Sequence, residues 1–260
     1  MYEGNRLPDE VRTASPGWIS EADFGRLLVF THVPKTGGTS LKQIITINYG
    51  RHYADHHPRM QNLIEQIDAG DRDPDQVHAI SSHVPYGIHR KIPGLDGRTV
   101  LPITVVRDPL KRMISYFNFV TTFRPHRLHQ ETKDLDINEF FTLGLAAGWG
   151  EISNSQVAVV SGRARERAAA ATLEVLDKEY FAYAALEDIT ELIQRTGELL
   201  GWPAQQEQER IANQSPRRSS WDDLTPEVST ALVEANKEDI ALYEHLLEVG
   251  PVVREDRLQP

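Results

Sequence analysis

The sequence has no cysteine among its 260 residues. That excludes disulfides and thiolate metal sites, and it fits a cytoplasmic protein. No apolar run has the length needed to span a bilayer. The first 26 residues carry acids, prolines and Trp18 but no basic stretch followed by an apolar core, so no secretion signal is expected there. Positive charge is in deficit, with 28 Lys and Arg against 38 Asp and Glu and a formal charge of -10. A chain of that sign is poorly suited to nucleic acid, whose binding rests on neutralising phosphates. It also points to a small or neutral partner rather than a long polyanion. An anionic ligand would need basic residues grouped at a few positions. Internal repeats and low-complexity tracts are absent too.

What is present reads as an α/β protein. Residues 1–26 are expected to form an arm or a disordered lead-in, and residues 27–260 a single α/β domain. The apolar run 27–33 predicts a strand, and 40–45 has helical spacing. Residues 51–59 read as a polar, histidine-rich connection and 60–69 as a helix. Strands are expected over 77–82 and 99–106, with Pro102 suggesting an interruption or an edge position in the latter. Pro109 suits the first turn of a helix. Helices are expected over 138–145, 165–176 and 189–200, a strand over 180–186, and a loop over 205–223. A last helix, 226–248, would bury Leu232, Ala235, Ile240, Tyr243 and Leu247. Strands alternating with helices predict a P-loop-like, mostly parallel sheet with helices on both faces.

Two stretches group positive charge with anion-binding chemistry. In the first, a strand runs into Pro34, Lys35, Thr36, Gly37, Gly38, Thr39 and Ser40 and then into a helix. Glycines let a backbone approach an anion, and free N–H groups at a helix start point toward it. Lys35 adds a charge; Thr39 and Ser40 add hydroxyls. The lysine precedes the glycines, the reverse of a Walker A loop. In the second stretch, Arg107 ends a strand and Ser115 lies about two turns into the next helix. A guanidinium and a hydroxyl there can reach one phosphate. Taken alone, the first stretch is equally a tight turn with a solvated lysine, and the second is better read as an Arg107–Asp108 pair beside a small packing residue.

Together they resemble the sulfotransferases that use 3'-phosphoadenosine 5'-phosphosulfate (PAPS), especially the carbohydrate and heparan-type 2-O branch. The resemblance implies that the Lys35–Ser40 loop holds the 5'-phosphosulfate and that Arg107 and Ser115 hold the 3'-phosphate. Asn154, Gln156 and Gly162 resemble the family's Asn-x-Gln stretch. The run from Asn213 through Arg217 and Arg218 resembles a late loop that folds over the nucleotide, and the run from Asp239 to Tyr243 a closing helix. The implied co-substrate is PAPS, with no metal. The implied partner is a hydroxyl-bearing acceptor: a sugar, small metabolite or lipid. No counterpart of the membrane anchor of Golgi members is expected here.

Sulfuryl transfer needs a base for the acceptor hydroxyl, and histidine suits that near neutral pH. Among ten histidines, His83 stands at the end of the strand 77–82, before Val84, Pro85 and Tyr86. The family has its catalytic histidine in a similar Gly-His-Val-x-Tyr setting, with Ser82 replacing the glycine here. His32 and His89 are the next choices. His78 reads as packing. His52, His56 and His57 read as a solvated cluster, since no Glu accompanies them as in His-Glu-x-x-His. Arg163, Arg165 and Arg167 read as the solvated start of a helix. Two rival functions share the glycine loop. One is a metal-dependent nucleotide kinase or phosphoryl transferase, which would need magnesium. The other is a non-catalytic nucleotide-binding protein of the same fold.

Overall fold

The computed structural model describes residues 9–13, 25–55, 61–163, 167–203 and 219–258. In chain order these supply α1 (Asp9–Thr13), β1 (Arg26–Thr31), α2 (Gly38–Tyr49), β2 (Tyr53–Asp55), α3 (Gln61–Asp68), β3 (Ala79–Ser82), β4 (Thr99–Val106) and α4 (Pro109–Thr122). There follow α5 (His129–Thr132), α6 (Ile137–Ala146), α7 (Ser155–Ser161), α8 (Ala169–Glu179), β5 (Ala182–Ala185), α9 (Ile189–Leu200), α10 (Pro226–Ala235), α11 (Lys237–Val249) and β6 (Val252–Val253). The strands form one sheet in the order β2-β3-β1-β4-β5-β6. The first five are mutually parallel and β6 runs antiparallel at the edge.

Alternation along the strands puts apolar side chains on both faces, as a doubly covered parallel sheet requires. Leu28, Phe30, Ile103 and Val105 pack with Leu41, Ile44 and Ile45 of α2 and Ile189 and Leu192 of α9. On the other face, Leu27, Val29 and Ile80 pack against Leu63 of α3, while Val106 and Tyr183 meet α7, α8 and α11. A further cluster, built on Met113, Phe117, Phe140, Phe141 and Leu232, joins α4, α6 and α10 beside the sheet. The expected α/β architecture with helices on both faces is therefore the observed one. Among the described residues, no helix is long and apolar enough to cross a membrane.

Several local expectations are overturned. Pro102 neither interrupts β4 nor lies on an edge strand, because β4 is paired on both sides. The carbonyl of Pro102 accepts from the Phe181 N–H at 2.9 Å, and β4–β5 pairing begins only with Ile103 and Ala182. The N–H and C=O of one strand residue project to the same side. The missing donor of Pro102 therefore faces the entry of β5, where no ladder bond is lost. The connection 51–59 contains the edge strand β2. Within the arm, Asp9–Thr13 forms the helix α1, which packs against α2 and the turn Gly50–His52. The helix expected from 165 begins at Ala169.

The last helix is two helices. Asn236 leaves helical geometry with φ -118° and ψ 18°, and its side-chain amide donates to the Ile152 and Leu232 carbonyls at 2.9 Å each. That break rotates the buried face of α11 to Asp239, Leu242 and Leu246, and leaves Leu247 45% exposed.

Candidate functional site

The strand order places β1 beside β4, and the chain leaves β1 through α2 toward the β2–β3 side but leaves β4 toward β5 on the other. In open α/β sheets such a switch point is where ligands bind. Thr31 lies beside Ser82 in the register, and the Thr104 hydroxyl donates to the Thr31 carbonyl at 2.9 Å. The residues that follow these strand ends, His32, His83 and Arg107, therefore share one sheet edge.

The loop between β1 and α2 is tightly built. The Thr36 hydroxyl donates to the Val33 carbonyl at 2.9 Å. Lys35 and Gly37 both adopt left-handed backbone, with φ 71° and 77°. A Cβ on Gly37 would come within 2.4 Å of Leu186, and one on Gly38 within 2.0 Å of the His32 ring. Gly37 is therefore required by turn geometry, and Gly38 by its close packing on the His32 ring. No side chain caps the start of α2. Its first N–H groups, with Thr39 and Ser40 half-buried beside them, present the donor set an anion uses.

Lys35 and Arg107, far apart in sequence, meet directly. Arg107 Nη1 donates to the Lys35 carbonyl at 3.0 Å. Burial first, and then the nearby Arg107 charge, push the Lys35 ammonium down to about 8. That ammonium lies 4.5 Å from the centre of the Phe119 ring, within the range of a cation–π contact. Ser115 stands four residues before Phe119 on α4, so the two share a helix face. That face is the one turned to the loop. Asp108, expected to pair with Arg107, caps α4 instead, accepting from the Leu110 and Lys111 N–H groups at 2.9 and 3.1 Å.

His83 reaches the same edge from β3. Its Nδ1 lies 2.7 Å from the His32 carbonyl. A carbonyl only accepts, so Nδ1 carries the proton and Nε2 is the basic nitrogen of the neutral ring. The His83 ring sits 4.2 Å from the His32 ring, centre to centre, and His32 stacks on Phe30 at 4.9 Å. His32 thus fills the space between Gly38 and His83.

The other histidines lie elsewhere. His52 is buried rather than solvated, with Nδ1 2.9 Å from the Gln76 carbonyl and its ring 5.0 Å from His78. Both precede the first residues of their strands, at the end of the sheet opposite His83. His89 is 6% exposed, and burial pushes its imidazole down to about 4. Arg167 does not extend into solvent but donates to the Gly150 and Ser153 carbonyls. His56, His57, Arg165, Arg217 and Arg218 lie outside the described residues.

Two residues without an assigned role in the sequence reading support the loop. Arg112 is fully buried; its guanidinium donates to the Glu151 carbonyl at 2.5 Å and approaches the Pro34 carbonyl at 3.5 Å. Its signal was present. Positions 109, 112, 113, 116, 117 and 120 are the buried stripe of α4, and an arginine on such a stripe is unusual. Gln156 is also fully buried and bonds the Arg107 backbone. It came to notice only as part of a resembling stretch.

The family model described as "Sulfotransferase family" matches residues 25–245. A search of curated proteins gives no match.

Proposed function

The chain belongs to the sulfotransferase family, and from that premise we propose that it moves a sulfuryl group from PAPS to an acceptor hydroxyl, with His83 as the base. The observation that carries the reading is the direct contact of Arg107 with the Lys35 carbonyl. It joins two cationic centres at one sheet edge, as a ligand with phosphates on the 3' and 5' positions of one ribose requires. The donor set suits that ligand: a half-buried lysine, uncapped N–H groups, two hydroxyls and a guanidinium.

PAPS would supply a sulfuryl group already activated by its bond to the 5'-phosphate. In this reading, Lys35 and the first turn of α2 bind the phosphosulfate end, and Arg107 and Ser115 the 3'-phosphate. His83 Nε2 takes the acceptor's proton as its oxygen forms a bond to sulfur. The bond from sulfur to the bridging oxygen breaks, and that oxygen stays on the 5'-phosphate. Lys35 stabilises the charge gathering there, where a fixed cation in a dry site is most effective. The likeness to the 2-O branch makes a sugar hydroxyl the first acceptor to try.

Calorimetry tests the co-substrate. Adenosine 3',5'-bisphosphate, the desulfated product, is expected to bind far more tightly than ADP. Equal affinities would overturn the two-site reading. Lys35 adds a pH signature. Its proton is held below about pH 8 and lost above it, so affinity for the bisphosphate should fall as pH rises through that region. Lys35→Arg should flatten the profile, because arginine stays charged. A wild-type profile that is flat from pH 7 to 9 would contradict it.

A further inference from the structure

Gln156 makes contacts that go beyond packing. Its Oε1 accepts from the Arg107 N–H at 3.0 Å, and its Nε2 donates to the Arg107 carbonyl at 2.8 Å. Arg107 directly follows β4, so the glutamine amide acts as one more strand partner for a residue that has left the sheet. Gln156 is itself held. Its N–H donates to Asp239 Oδ2 at 3.0 Å, and the Val157 N–H to Oδ1 at 2.8 Å. In return, Asn154 Oδ1 accepts from the Glu238 and Asp239 N–H groups at 3.1 and 3.2 Å, and Asn236 Oδ1 from the Asn154 N–H at 3.2 Å. The starts of α7 and α11 therefore cap each other, and Asp239, like Gln156, is fully buried.

We infer that Gln156, locked by Asp239, is a positioning residue that sets the aim of the Arg107 guanidinium, and that this clamp lets the site distinguish a 3'-phosphorylated nucleotide from one lacking that phosphate. With the N–H and C=O of Arg107 both tied, its backbone angles are fixed, and so is the direction in which the side chain leaves. Guanidinium recognition of phosphate depends on that direction, because the paired N–H groups must meet the oxygens in a plane. Supporting residues of this kind commonly decide whether a site is tight or loose. The inference rests on the co-substrate reading above.

The test compares adenosine 3',5'-bisphosphate with AMP by calorimetry on the wild type, Gln156→Leu, Gln156→Glu and Asp239→Asn, with a melting temperature for each. The wild type should prefer the bisphosphate. Gln156→Leu should cut bisphosphate affinity by about tenfold or more, the scale of one or two lost hydrogen bonds, with AMP affinity nearly unchanged. Gln156→Glu keeps the acceptor for the Arg107 N–H but opposes an oxygen to its carbonyl, so preference should fall there too. Asp239→Asn should give a smaller fall. A purely architectural role predicts instead that both ligands weaken together, in step with the melting temperature; that result, or an unchanged preference, would overturn the inference. A wild type without preference would overturn the co-substrate reading and this inference with it. Strong wild-type preference retained in the variants would overturn the inference alone. If Gln156→Leu does not fold, the other two variants carry the same comparison.

Discussion

Replacing His83 by alanine is expected to lower turnover by about 10²–10⁴-fold, the usual contribution of a general base, while nucleotide affinity stays close to wild type. The split follows from where the ring sits. His83 meets the phosphate loop through His32, whose own ring lies over Gly38, so its loss is expected to remove a proton acceptor rather than an anion ligand. Asparagine is the sharper variant. Its side-chain amide can still donate to the His32 carbonyl, the role of Nδ1 at 2.7 Å, yet it has no basic nitrogen. His83→Asn should therefore keep the local structure and lose the rate. Single-turnover kinetics beside nucleotide calorimetry make the measurement. Full turnover in both variants would remove His83 from the chemistry and turn attention to His32, since His89 is buried away from solvent.

Arg107→Ala is expected to weaken adenosine 3',5'-bisphosphate by ~2–5 kcal/mol, the range for truncating one partner of a buried charged pair. The structure adds a second consequence. Because Arg107 also holds the Lys35 carbonyl, its removal frees a loop residue that sits at φ 71°. Conformations of that kind persist only where the surroundings enforce them. A nucleotide lacking the 3'-phosphate should thus lose some affinity as well, though less than the bisphosphate. Arg107→Lys should fall between wild type and alanine, since lysine keeps the charge but not the planar fork. Calorimetry with the bisphosphate and AMP reads both effects; equal losses for the two ligands would contradict a special role at the 3'-phosphate.

Local signals carried much of this into the sequence. The turn between β1 and α2 was legible because glycines, lysine and hydroxyls follow an apolar strand without a gap. The helix Ile189–Leu200 was legible with both of its bounds. Pro109 marked the start of α4. What escaped depends on partners distant in the chain. Pro102 reads as an edge residue until the late start of β5 is known. Asn236 reads as helical until its side chain is seen to bond Ile152, and that one break moved the expected stripe of α11 off Leu247. Gln156 and Asp239 are more than 80 residues apart; no periodicity links them, and their chemistry appears only where α7 meets α11. His52 looked solvated because its neighbours are polar, whereas the β2–β3 pairing buries it.

Transfer of label from sulfur-labelled PAPS is the most direct measurement of the central claim. The full chain is incubated with labelled PAPS and a panel of sugar, small-metabolite and lipid hydroxyl acceptors, in the presence of a chelator that removes magnesium. The account predicts label on at least one hydroxyl acceptor, release of adenosine 3',5'-bisphosphate in equal amount, and loss of both with His83→Asn. No transfer from PAPS to any acceptor, together with magnesium-dependent transfer of the γ-phosphate of ATP, would contradict it.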